Sequence, residues 1–268
     1  MKKIPLMLIL VAFFATAVFT SCERDQNDDF RKNAARDDIR VDNMMDDIVA
    51  EADEFSDFIT IDKNGSKDGS KTFTIVNNPD GSITVTVTYV NYSNPNFANS
   101  HVKNGIINIH IIGAPTDSTF IKFITFNNFT IDNNLITGSI TITKTAPFTH
   151  TILLTNCMIS FTDGTTYTRS GQKTRTQIEG MNTPYLIWDN TYEIVGTFTG
   201  TNRNNIAYVH EVTTPLVRKM AYHYIVQGVL HLEIGNRDIV IDFGDGTLDN
   251  LVDITINGTT YYDVQLTH

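Results

Sequence analysis

From residue 71 onward, the chain alternates apolar and polar positions, with Ile, Val or an aromatic residue at every second place and Thr, Ser or Asn between them. Period-two alternation is typical of β-strands that bury one face. The clearest segments are SITVTVTYV (82–90), GIINIHIIG (105–113), GSITIT (138–143), YEIVGTFTGT (192–201) and VDITING (252–258). Turn sequences such as NPDGS, IDNNL, TDGTT and INGTT separate them. The pattern predicts a mainly β domain over residues 71–268, a large antiparallel meander arranged as a curved sheet, a sandwich or an open barrel-like structure.

A helical period precedes the strands. Apolar residues recur at alternating spacings of four and three among many acids, at Val41, Met45, Ile48, Ala52 and Phe55. This stripe predicts one short acidic helix at about residues 38–56, which we expect to dock on the β domain. A partner-binding or coiled-coil segment is the alternative. The residues before it are polar with almost nothing to bury, so we expect a disordered tether there.

The chain begins with a signal-peptide pattern. Two lysines precede an apolar run over residues 4–19, which is shorter than the roughly 20 residues that span a bilayer. The following residues FTSC, at 19–22, resemble the lipobox of bacterial lipoproteins, in which the cysteine is acylated and becomes the first residue of the mature protein. The resemblance implies that residues 1–21 are a lipoprotein signal peptide. It also implies that Cys22 carries acyl chains such as palmitate, which anchor the protein to a membrane.

Charge divides the mature chain into two parts. The whole sequence has a net charge of −10, and residues 22–70 hold fifteen Asp and Glu against seven Lys and Arg. We therefore predict an acidic tether with its helix over residues 22–70, followed by the β domain. No basic patch is available for phosphates, which argues against a nucleic-acid partner. With Cys22 acylated, only Cys157 remains, and we expect a buried, inert thiol.

The most motif-like stretch is IDFGDGTLDN, residues 241–250. Calcium loops commonly alternate acids as D-x-D-x-D, whereas Asp242, Asp245 and Asp249 are spaced three and four apart. We therefore predict a type I′ hairpin through Asp245 and Gly246, joining strands 237–242 and 251–256. Calcium binding by the three aspartates is the alternative.

An aromatic cluster lies in PYLIWDNTY, residues 184–192. Tyr185, Trp188 and Tyr192 could form a carbohydrate-binding platform, because flat rings cover the apolar faces of sugars. The other interpretation is that these rings pack in the core. The seven histidines show no metal-ligand spacing, and no phosphate loop or nucleophile elbow is present. We predict no catalytic residues, no metal and no cofactor, and hence no enzyme.

The C-terminal half also carries a family resemblance. The segments ISFTDGTTYTRSGQKTRTQIEG, DNTYEIVGTFTGTNRNNIAYVHEVTTPLVRK and VIDFGDGTLDNLVDITINGTTYYDVQL resemble an uncharacterised family of Bacteroidota outer-membrane lipoproteins that is β-rich and has a C-terminal DFGDGT-DN turn. The resemblance covers roughly residues 120–268 and implies an outer-membrane lipid anchor without an assigned activity. Acidic residues after Cys22 also resemble the surface-export signal of such lipoproteins, which favours the cell surface over the periplasmic face.

Together these features predict a lipid-anchored lipoprotein that acts as a binding or structural module of the cell envelope. One alternative is a surface carbohydrate-binding lipoprotein that uses the aromatic cluster. A second is a fimbrial or other assembly subunit, which would need a removable first strand and an exposed sheet groove that receives a neighbour's strand. The membrane is the one partner that the anchor implies; a glycan or protein partner is not identified by the residues.

Overall fold

A computed structural model describes residues 20–55, 68–94, 101–183, 186–222 and 224–265; for residues 20–31, 68, 187 and 224 it describes the backbone only. Most of the predicted signal peptide, residues 1–21, therefore lies outside the described residues, as does Tyr185. One helix, α1 (Thr20–Asp53), precedes thirteen strands. The strands are β1 (Asp68–Asn77), β2 (Ile83–Ser93), β3 (Lys103–Ile112), β4 (Ile121–Ile131), β5 (Asn134–Ala146), β6 (Thr149–Ser160), β7 (Thr166–Glu179), β8 (Thr191–Thr201), β9 (Ala207–Lys219), β10 (Tyr224–Ile234), β11 (Arg237–Asp245), β12 (Leu251–Ile256) and β13 (Thr259–Gln265).

The strands form one antiparallel sheet in chain order, so each strand pairs with its neighbours in sequence. This confirms the predicted antiparallel meander. Because a single continuous sheet contains all thirteen strands, the arrangement is a curved open sheet and not a two-sheet sandwich. The strands β1 and β13 are its two edges. Alternating residues point to one face, where Val85, Val87, Ile107 and Ile109 are fully buried.

Bulges bend this sheet. The pairing register shifts on both sides of several strands, among them β3 and β5, where one strand carries an extra residue. At Gly105 the backbone adopts a positive φ of 92°, and a Cβ atom there would lie 2.1 Å from the carbonyl oxygen of Asn128 on the next strand. Only glycine accepts both the angle and this close approach. Asn128 itself has a positive φ of 47°, so both strands deviate from regular geometry at the same place and the sheet curves there.

Helix α1 lies on the concave face of the sheet, and most of its side chains between Ala34 and Ala52 are buried. All five residues of the predicted apolar stripe are at most 1% exposed, and so are the neighbouring Met44 and Val49. The helix contacts β4, β11 and β12, and the ammonium group of Lys32 lies 3.8 Å from the ring centre of Tyr261 in β13. The sheet therefore wraps around the helix, and helix and sheet share one hydrophobic core.

The helix differs from its predicted bounds. It begins at Thr20 and ends at Asp53, whereas the sequence pattern predicted about residues 38–56 with a disordered tether before it. That expectation of disorder was wrong for residues 22–37, whose backbone is helical. A short isolated helix is marginal in water, and tertiary contacts supply most of its stability. Here Ala34, Ala35, Asp37 and Asp38 contribute such contacts, because the sheet offers both an apolar surface and basic partners for the acids.

Candidate functional site

The most distinctive chemistry of the molecule is the ionic interface between α1 and the inner face of the sheet. The helix supplies the acids, with Asp38, Asp42 and Asp46 at successive spacings of four, so that they lie along one side of the helix. The sheet supplies the bases. On β7, the inward positions carry Arg169, Lys173 and Arg175 where a strand of this kind normally carries apolar residues. The acidic side of the helix thus lies directly against a basic strand.

The first cluster surrounds Asp38, whose side chain is completely buried. The Arg169 guanidinium donates to one carboxylate oxygen, and Tyr167 Oη donates to the same oxygen at 2.7 Å. His210 Nδ1 lies 2.7 Å from the other oxygen. Burial by itself would raise the pKa of Asp38, but the charge of Arg169 and the contact with His210 outweigh it and hold that pKa well below its usual range. Asp38 is therefore ionised at neutral pH.

Arg169 connects this cluster to the next turn of the helix. Its Nη1 donates to Asp42 at 3.0 Å, and its Nε donates to Tyr208 Oη at 3.2 Å. Tyr208 Oη in turn donates to the backbone carbonyl of Thr168 at 2.8 Å. Because each nitrogen of the guanidinium has a buried acceptor, this arginine is held in one orientation, and it fixes the position of two helical turns.

The second cluster is formed by Asp46 between Lys173 and Arg218, which both donate to its carboxylate. All three side chains are more than nine-tenths buried. Burial favours the neutral acid, but the two cations outweigh it and lower the pKa of Asp46 to about 2. Strands β7 and β9 are thereby joined through one helical carboxylate.

The third cluster lies where the helix ends. Glu51 accepts from Lys103 at 2.5 Å, from Lys71 at 2.6 Å and from Tyr89 Oη at 2.8 Å. Burial opposes its ionisation, yet the two lysines lower the pKa of Glu51 to about 2. Asp53 accepts from Lys122 and from Arg175, at 2.7 Å each.

These three clusters connect α1 to strands between β1 and β9. Nearer the N-terminus of α1, Asp37 accepts a hydrogen bond from Arg203, which lies between β8 and β9, at 3.1 Å. Every acid of the three clusters already has a cationic partner. The clusters therefore neutralise buried charge and fix the position of the helix on the sheet. The burial of these acids was missed from the sequence. The signal was present in two places: acids at a spacing of four on the helix, and bases at alternate positions on β7.

Of the predicted aromatic cluster, the structure describes Trp188 and Tyr192. Tyr192 points to the inner side, where its ring lies 4.6 Å from the Arg175 guanidinium and its hydroxyl accepts from Asn190 at 3.2 Å. Trp188 is half-buried in a short 3-10 turn, Ile187–Asp189, and Tyr185 lies outside the described residues. Since Tyr192 already packs against the core, its ring is not free to cover a sugar, and the structure does not support a platform that includes it.

The three aspartates of the DFGDGT-DN turn each accept hydrogen bonds within their own turn. Asp242 accepts from the Gly244 amide at 2.9 Å, Asp245 from the Thr247 amide and hydroxyl, and Asp249 from the Leu251 amide at 3.1 Å. Hydrogen bonds from Thr247 lower the pKa of Asp245. The predicted type I′ turn was wrong in detail, because positive φ angles fall on Gly244 and Gly246 and not on Asp245. Each carboxylate caps a tight backbone bend, and residues 246–250 join β11 to β12.

The remaining predicted residues are the two cysteines. Cys157 is buried, as expected, and its thiol donates to the Ser139 carbonyl at 3.3 Å. Burial raises the pKa of this thiol to about 11, so it stays protonated at neutral pH. Cys22 lies in the first turns of α1, within the segment whose backbone alone is described.

Comparison with known proteins gave no relative: no family model matches the chain, and no curated protein or solved structure is significantly similar to it. Among the residues described, no group of three or more His, Cys, Asp or Glu side chains could hold a metal ion. In the same part of the chain, no helix combines the length and the apolar character needed to cross a membrane.

Proposed function

We propose that the protein is a lipid-anchored lipoprotein of the bacterial outer membrane, acting as a binding or structural module without a catalytic role. The observation that supports this is the position of Cys22. It lies at the start of α1, and the same helix continues into the core, where its acids pair with the sheet. The acylated residue and the folded body thus belong to one continuous helix.

A continuous helix would fix the distance between the lipid anchor and the β domain. Lys32 lies ten positions after Cys22, which corresponds to a rise of about 15 Å at 1.5 Å per helical residue. From Ala34 onward most side chains of the helix are buried against the sheet. A helical stem of this kind holds the β body close to the membrane at a defined distance, whereas a disordered tether would let it move freely.

The lipid anchor is tested by metabolic labelling with an alkyne analogue of palmitate in a host that makes outer-membrane lipoproteins. We expect labelling of the wild type, loss of labelling in Cys22→Ala, and full labelling in the control Cys157→Ser. A labelled Cys22→Ala protein, or an unlabelled wild type, would contradict the proposal. Protease treatment of intact cells then separates the two faces, because only a surface-exposed body, the face that the acidic export signal favours, is digested.

A second candidate function is assembly with other subunits, and one observation favours it. The sheet is open, so β1 and β13 each pair with a single neighbouring strand. An unpaired strand edge can accept a further strand by main-chain hydrogen bonding. The carbohydrate-binding alternative is not favoured by such an observation, because Tyr192 packs against the core and Tyr185 lies outside the described residues.

A further inference from the structure

Among the described strands, only β2 pairs with the edge strand β1, so the outer side of residues 72–77 has no described strand beside it. Thr72, Thr74 and Asn77 are exposed, Ile75 is 37% exposed, and Val76 is 54% exposed. This stretch carries no charged residue and no proline, and it is rich in β-branched side chains. Natural edge strands are normally protected by charges, prolines or bulges against pairing with other chains. Here the bulge near Gly69 lies before this stretch, so residues 72–77 have none of these protections.

The other edge is protected. Strand β13 is shorter than β1, and a register shift interrupts its pairing with β12. Asp263 places a charge on it, adopts a left-handed φ of 51°, and uses its amide to bond the side chain of Asp253. A strand from another molecule would find a regular run of free backbone groups on β1 but not on β13.

The orientation of the free backbone groups follows from the β1–β2 hairpin. The Asn78 amide donates to the Ser82 carbonyl at 2.9 Å, so Asn78 bonds toward β2. In an antiparallel pair, residues alternate between bonding to the partner and pointing away from it. Thr72, Thr74 and Val76 therefore bond to β2, and the amide and carbonyl groups of the alternate residues point outward. These outward residues are Lys71, Phe73, Ile75 and Asn77.

We propose that β1 is a self-association edge, at which β1 of a second copy pairs antiparallel with its symmetry centre at Thr74. In this register every outward-pointing residue meets an outward-pointing residue of the other copy. Phe73 lies opposite Ile75, Lys71 lies opposite Asn77, and Thr74 lies opposite its own equivalent. Pairs of an aromatic with a β-branched residue are favourable across strands, and no like charges meet.

The same register explains the exposure of Ile75. Its side chain shares the inner face with Phe73, which packs against the core, yet in the described part of the chain no strand lies beside Ile75 on the open side. The second copy would place its Phe73 there. The interface is one pair of strands, so we expect a weak, concentration-dependent dimer with two-fold symmetry. This inference deepens the assembly function and does not depend on the lipid anchor.

The test uses the full chain purified in detergent micelles and measures its mass by sedimentation over a range of concentrations. The wild type is expected to dimerise. Thr74→Glu places two negative charges opposite each other at the symmetry centre, and Thr74→Lys places two positive charges there. Each variant alone should weaken the dimer at least about tenfold. An equimolar mixture of the two should restore dimers, because Glu then faces Lys.

The matched controls are Thr199→Glu and Thr199→Lys. Thr199 is exposed on the central strand β8, where it pairs with Ser170 and Val209, and we expect these variants to dimerise like the wild type. Circular dichroism and the melting temperature report whether each variant is folded. A monomeric wild type at all concentrations, unchanged dimers in Thr74→Glu, or no recovery in the mixture would overturn the proposal. So would species larger than dimers, since those indicate head-to-tail addition at β13. Loss of palmitate labelling would leave this result untouched, so the two proposals fail separately.

Discussion

At the scale of single residues, the structure depends on carboxylates that are buried in ionised form. Asp46 accepts from Lys173 and Arg218 inside the protein, with no more than a tenth of any of the three side chains exposed. Burial of an ion pair brings little net stability, because both ions lose their hydration. Removal of one partner is costly, however, since the remaining charges then stay buried without compensation.

We therefore predict that Asp46→Asn lowers the free energy of unfolding by about 3–5 kcal/mol, because Arg218 loses its buried counter-ion and Lys173 keeps only Asp42, at 3.5 Å. Urea denaturation followed by circular dichroism measures this loss. The control is Asp238→Asn, which removes an exposed partner of His231 and should cost less than about 1 kcal/mol. Equal small losses in both variants would show that Asp46 is not buried between two cations.

A glycine at a bulge gives a second prediction. Gly105→Ala combines a positive φ with a Cβ position 2.1 Å from the Asn128 carbonyl oxygen, so we expect a loss of about 2–4 kcal/mol of unfolding free energy. Gly81→Ala is the matched control, since Gly81 has a φ of 84° but open space around it. That variant should lose only about 1 kcal/mol. Similar losses at both sites would argue against a close approach of β3 and β4 at Gly105.

At the scale of elements, the sequence predicted the strands well and the helix in part. Alternation of Thr with Ile or Val specified strands such as β2 and β3, because one face of each is buried and the other is exposed. The apolar stripe of α1 was also correct. The burial of the acids was not foreseen, since a charged helical face normally points to water, and the basic partners come from strands distant in sequence.

The turn between β11 and β12 was also predicted only in part. Its position was predictable from the Asp and Gly residues, and its conformation was not. Positive φ angles fall on Gly244 and Gly246, while Asp242, Asp245 and Asp249 each accept a local backbone bond. Local bonding of this kind uses the same side chains that a calcium loop would use, so their types alone do not distinguish the two.

The helix–sheet interface makes stability dependent on pH. In the unfolded chain, carboxyl groups titrate near pH 4. In the folded protein the pKa values of Asp38, Asp46, Glu51 and Asp53 are lowered, to about 2 for Asp46 and Glu51. The unfolded state therefore binds more protons in this interval. The stabilisation that these four carboxylates contribute is present above about pH 4 and is lost as the pH falls toward about 2.

Two neighbouring acids act in the opposite direction. Burial raises the pKa values of Asp37 and Glu54, so the folded state takes up these two protons first and gains stability from them as the pH falls toward about 4. We expect the melting temperature to fall steeply between about pH 4 and about pH 2, and Asp46→Asn to show a shallower fall. A melting temperature that stays constant through this interval would mean that these carboxylates are not ionised within the fold.

At the scale of the whole molecule, the protein is a sheet folded around an acidic helix that begins at the predicted lipid anchor. The sequence predicted the sheet and the helix, but it did not show that the sheet folds around the helix. Alternation shows which residues of a strand are buried and does not show how far the sheet curves. That curvature depends on bulges such as the one at Gly105 and Asn128, where neither residue type by itself identifies a bulge.

The central claim is that α1 forms the core of the sheet and does not hang from it as a flexible tether. Hydrogen exchange of the full chain in detergent micelles tests this claim most directly. We predict that backbone amides between Ala35 and Asp53 exchange as slowly as those of β5 to β8, because all of them open only on global unfolding. Complete exchange of the helix within seconds, while the strands remain protected, would contradict the account.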